Sequence, residues 1–95
     1  MLSFNQIATK IIKEQELVIG PLAWSEARKV SGLNVVDQNK GEVSISNGDE
    51  KGVVDRLVGQ YERLFGRASH EVCRDAVASM LANLSPNDVP VSLRS

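Results

Sequence analysis

The sequence predicts an α+β domain, mainly α, with four helices and one β-hairpin between the second and third, in the order α-α-β-β-α-α. Three observations lead there. Apolar residues recur at three- and four-residue spacing through four stretches, as a helix needs to present one greasy stripe. Between Leu33 and Ser46 the spacing shortens to two, the period of a strand with one buried face. Glycine or proline punctuates the joints, where the backbone must leave regular geometry.

From Ser3 to about Glu16 the apolar set is Phe4, Ile7, Ala8, Ile11 and Ile12, one amphipathic helix with Asn5, Lys10, Lys13 and Glu14 facing water. Ser3 suits its N-cap, since a hydroxyl oxygen there can accept an otherwise unpaired first-turn amide. Gly20-Pro21 forms the next boundary, because proline is tolerated at the first helical position and not in the interior. A second helix from Pro21 to about Val30 would turn Leu22, Ala23, Ala27 and Val30 inward and Glu26, Arg28 and Lys29 outward. Trp24 lies off that stripe, either half-buried at its edge or as an exposed anchor.

Ser31-Gly32 ends that helix. Leu33 to Val35 and Glu42 to Ser46 alternate polar and apolar residues around Asp37-Gln38-Asn39-Lys40-Gly41, a hairpin in which Asn39 and Gly41 supply the positive backbone angles of the turn. A lone hairpin is marginal in water, so Val35, Val43 and Ile45 must face a helix. Asn47-Gly48-Asp49 then turns the chain, with Asp49 as N-cap of the third helix.

The rest of the chain is organised around the last two helices, read between Gly52 and Leu84. Val54, Leu57, Val58, Tyr61 and Phe65 form one stripe; Cys73, Val77, Met80, Leu81 and Leu84 form the other. Gly66 takes a left-handed conformation at their joint, and the last helix starts at or just before Ser69. Ser85-Pro86-Asn87-Asp88-Val89-Pro90 cannot sustain a regular helix, so residues 1–84 form the domain and 85–95 a short turn and extended tail.

Composition narrows the function. Ninety-five residues with 42% hydrophobic content supply one modest core and no second domain. Eleven Lys and Arg are interspersed with twelve Asp and Glu, for a formal charge of -1, which disfavours a phosphate-tracking surface. The single Cys73 excludes an internal disulfide and fits a reducing cytoplasmic setting. Polar residues interrupt the N-terminal stretch too often for a signal peptide or a membrane span.

Reactive side chains are few. His70 and Cys73 stand three apart, a spacing that can chelate a metal, but a structural zinc site takes four ligands and the chain has one His and one Cys. Cys73 is better read as a small core residue and His70 as a half-exposed boundary residue. Ser69 and Cys73 lack an orienting partner for His70, and no phosphate-cradling loop motif occurs. No enzyme activity, cofactor or metal is expected. A winged-helix-like order keeps nucleic-acid binding as the alternative, through Lys40, Arg63, Arg67 and Arg74, although Glu62, Glu71 and Asp75 stand among these arginines and favour pairing within the helices.

The segment Glu16-Leu17-Val18-Ile19-Gly20-Pro21-Leu22-Ala23, with Ala27 and Val30 beyond it, resembles the Ile-Gly-Pro-[Ile/Leu]-Ala segment of small helical domains at the ends of bacterial signalling proteins, including Ser/Thr kinases and nucleotide cyclases. The resemblance covers residues 16–30, carries no functional residues across, and implies a bacterial regulatory or scaffold domain without catalysis. The expected function is therefore protein-protein interaction in regulation, with another protein or with a second copy as a homodimer. Trp24, Val36, Tyr61 and His70 are the expected surface or boundary contacts, and Val18 and Ile19 are surplus apolar residues that either join them or plug the core.

Overall fold

The computed structural model describes residues 3–46 and 48–94. Its elements follow the predicted order: helices α1 (Phe4–Ile19) and α2 (Leu22–Ala27), strands β1 (Leu33–Asp37) and β2 (Glu42–Ile45), then helices α3 (Glu50–Phe65) and α4 (Arg67–Leu81). Ser3 caps α1 as expected. Its hydroxyl accepts the Gln6 amide at 3.3 Å while Gln6 Oε1 accepts the Ser3 amide at 3.0 Å, so two first-turn donors are satisfied reciprocally. The helix runs past Glu16 to Ile19, where Gly20, at φ +70°, closes it by donating to the Glu16 carbonyl.

Helix α2 departs from expectation in length and in phase. It stops at Ala27, and turns carry the chain to Val30. Leu22, expected inside, is 44% exposed; Glu26, expected outside, is 6% exposed; Trp24 is wholly buried and neither an edge residue nor an anchor. An indole removes more apolar surface from water than a leucine does, so a helix of six residues is better placed with Trp24, Ala23 and Ala27 inward.

The hairpin pairs Leu33 with Ile45, Asn34 with Ser44 and Val35 with Val43, then slips so that Asp37 opposes Glu42. Val36 is the extra residue of this bulge and projects outward. Among the described residues only glycines have positive φ, so Gly41 supplies that angle without Asn39. The bulge and a turn closed by the Gly41 amide on the Gln38 carbonyl remove the need for a second such residue. Leu33 and Val43 are buried, and β2 lies against α1.

Asn47, the first residue of the expected Asn47-Gly48-Asp49 turn, lies outside the described residues. Asp49 precedes α3 as expected but does not cap it with its side chain, which pairs with Arg56 at 3.0 Å instead. Glu50 Oε1 accepts the Gly48 amide at 2.7 Å. At the joint of α3 and α4, Gly66 adopts φ +86° and ψ -175°, a region essentially restricted to glycine, and α4 begins at Arg67. Helices α1, α3 and α4 bury Ile7, Ile11, Ile12, Val53, Val54, Leu57, Val58, Cys73 and Val77 together with Trp24 of α2.

Beyond Leu84 the expected extended tail is replaced by two single 3₁₀ turns, Pro86–Asp88 and Val91–Leu93, that fold back against α3 and α4. Proline excludes a longer helix but is compatible with the start of one such turn. Leu93 enters the core at 2% exposure, and the Ser92 amide and hydroxyl both donate to Asp55 Oδ1, at 2.9 and 2.6 Å. No described helix is long and apolar enough to cross a membrane.

Candidate functional site

Of the four residues expected at a protein contact, two are inside, one is outside and one is half-buried. Trp24 and Tyr61 are buried, so neither presents a surface. Tyr61 donates its hydroxyl to the Ala23 carbonyl at 2.7 Å, tying α3 to α2, and burial raises its phenol far above the ordinary range. Val36 is 62% exposed on the bulge and borders a groove between the hairpin and the polar face of α1. His70 is half-buried: Nδ1 lies 3.2 Å from Glu62 Oε2, and Nε2 contacts the Ser92 carbonyl oxygen. His70 of α4 thus stands between Glu62 of α3 and the Ser92 carbonyl of the C-terminal turn, linking the three segments.

His70 and Cys73, though close in sequence, turn to different neighbours. Cys73 is fully buried under the Gln15 amide, which donates to its sulfur at 3.2 Å and to the Ser69 carbonyl at 2.9 Å. Burial pushes the thiol up to about 11, against a smaller opposite effect of the Gln15 bond. Such a thiol is a poor nucleophile. Ser92, the serine beside His70, has its hydroxyl committed to Asp55. Among the described residues, no three His, Cys, Asp or Glu side chains converge as a metal site.

The four cations of the nucleic-acid alternative sit on separate features. Lys40 is on the hairpin turn, where its amide donates to Asp37 Oδ1. Arg74 pairs with Glu71 and borders a groove shared with the C-terminal turns, whereas Arg67 is exposed at the start of α4. Arg63 donates to Gln60 Oε1 at 2.6 Å and faces a different groove, beside Lys29 and Arg56. Sequence adjacency had grouped Arg63 with Arg67 and Arg74; helical phase groups it with Arg56, Gly59 and Gln60, at i, i+3, i+4 and i+7 along α3.

Among the described residues the most exposed large apolar side chain lies elsewhere. Leu17 is 81% exposed and Val18 63%, adjacent on the last turn of α1. With Val72 and Ala76 of α4 they border a shallow groove of about 550 Å³, flanked by Lys10, Glu14 and Asp75. Positions 10, 14, 17 and 18 share one shoulder of α1, beside the buried stripe of Ile7, Ile11 and Gln15, and 72, 75, 76 and 79 share the facing shoulder of α4. Ile19 instead packs against the core. A helix ending at about Glu16, as the sequence predicts, leaves Leu17 without a face; the helix runs on to Ile19, and its phase puts Leu17 outside the buried stripe.

No family model matches the chain, and no curated protein or solved structure matches it either.

Proposed function

We propose that this domain is a non-catalytic bacterial regulatory module that acts by self-association, with a second copy laid across the α1 and α4 shoulders. The observation that carries the reading is Leu17 with Val18, two large apolar side chains left in water side by side. Burying them removes roughly 1.5 to 3 kcal/mol of unfavourable hydration each, enough for a modest interface to be centred on the pair. The flanking charges carry both signs, Lys10 and Glu14 on one helix and Asp75 on the other. A second copy turned about a two-fold axis can set opposite charges against one another, whereas a partner of one sign would meet a like charge. The resemblance over residues 16–30 agrees with a regulatory domain and supplies the bacterial part of the proposal, and the single Cys73 agrees with a cytoplasmic setting.

Sedimentation equilibrium tests it. The expected result is a dimer for the native chain at tens of micromolar, and a monomer of unchanged circular dichroism for Leu17→Glu with Val18→Glu. A native chain that stays monomeric to millimolar concentration, or a double variant that dimerises as tightly as the native chain, would overturn it.

A further inference from the structure

The polar face of α3 carries a second feature that self-association does not use. Lys29, Arg56 and Arg63 border one groove of about 350 Å³ between α3 and the turn after α2; among the described residues no carboxylate lines it, although Glu26 pairs with Lys29 and Asp49 with Arg56 from beside it. Two of these cations are held by a network. Glu26, 6% exposed, accepts Gln60 Nε2 at 2.7 Å and Lys29 Nζ at 3.0 Å, and Gln60 Oε1 in turn accepts Arg63. Gln60 and then Lys29 keep the Glu26 carboxyl below its ordinary range, so it stays ionised and holds both partners. Arg56 is fixed separately, donating to the Ser31 carbonyl at 3.1 and 3.2 Å and to Asp49 at 3.0 Å. Each guanidinium has N–H groups beyond those bonds, since arginine carries five.

Between the arginines lies Gly59. It is in the interior of α3, where glycine weakens a helix relative to alanine, and an added Cβ there would meet nothing within 4 Å. Neither backbone conformation nor packing requires a glycine at this position. Its absent side chain instead leaves the α3 backbone open at the floor of a cationic groove, the arrangement that admits a ligand close to the chain. We propose that this groove binds the phosphoryl group of a small phosphorylated ligand, with Arg56 and Arg63 donating to its oxygens, Lys29 supplying a third positive charge and Gly59 giving it room. Planar guanidinium donors match phosphate geometry, and three positioned cations in one concavity hold such a group better than scattered surface charge does.

Isothermal titration at low salt provides the test, with inorganic phosphate, pyrophosphate, adenosine 5′-monophosphate and citrate as probes. At least one phosphoryl compound is expected to bind, and citrate to bind at least tenfold more weakly. Preference for the monophosphate ester over inorganic phosphate would identify an ester as the source, the reverse a free anion; either supports the site. Arg56→Gln and Arg63→Gln should each weaken binding about tenfold, and Arg94→Gln, outside the groove, should leave it unchanged. Gly59→Ala is the decisive variant, expected to raise the melting temperature while weakening binding at least fivefold. Absence of binding by every phosphoryl probe, equal affinity for citrate, unaltered affinity in both arginine variants, or unaltered affinity in a stabilised Gly59→Ala would each overturn the proposal. Tight, steeply salt-dependent binding of duplex DNA with none of the small probes would also overturn it.

Discussion

Tyr61, Trp24 and Cys73 are the residues whose placement matters most, and all three are inside. Tyr61 both fills the core and satisfies the Ala23 carbonyl. Tyr61→Phe should therefore keep the fold and lower its stability by about 1 to 2 kcal/mol, the loss from leaving a buried acceptor unpaired, measurable by urea denaturation. Cys73 gives a pH dependence. Its folded thiol titrates at about 11 against an ordinary value of 9, so between these pH values the unfolded chain loses a proton that the folded chain keeps. Ionisation then favours unfolding, and the thiol should lower stability by about 2 kcal/mol as pH rises from about 9 to 11, a share of the loss that is absent in Cys73→Ala. Burial raises the Tyr61 phenol too, from an ordinary value of 10, so its share of the loss begins near pH 10 and grows above it.

At the level of elements, two ends define the stability of the helices. The Ser3 and Gln6 box starts α1, and Ser3→Ala should cost about 1 kcal/mol and increase amide exchange in the first turn. The C-terminal turns close the other side of the molecule through Leu93 in the core, Ser92 on Asp55 and the His70 contact. Leu93→Ala should destabilise by about 2 to 4 kcal/mol, with the exchange protection of residues 89–94 lost before that of α3. A tail that was merely extended over the surface would show neither effect.

For the whole molecule, the proposed self-association across the shoulder of α1 and α4 predicts a dependence of stability on concentration. Under the proposed self-association, Leu17 and Val18, exposed side by side on α1, form the centre of the contact. Since a ligand or partner that binds only the folded form stabilises it by mass action, the melting temperature of the native chain should rise with protein concentration. That of the chain carrying Leu17→Glu and Val18→Glu should be independent of concentration. Scanning calorimetry over a hundredfold range in concentration separates the two behaviours.

The sequence by itself determined the order of elements, the Ser3 cap, the position of the Gly66 joint and the inward stripes of α1 and α3. Each of these depends on neighbours three or four residues away along the chain, and such local preferences act before any long-range packing exists. Only the tertiary structure decided the rotation of α2, the docking of the C-terminal turns and the regrouping of Arg63 with Lys29 and Arg56. A six-residue helix has too few positions for its period to settle which face is inside, so competition between Trp24 and Leu22 for the core settles it. The C-terminal turns have no internal stripe, and what orders them is a space between α3 and α4 that exists once those helices have packed. Charges far apart in sequence, in the same way, acquire a common site only when the chain brings their elements together.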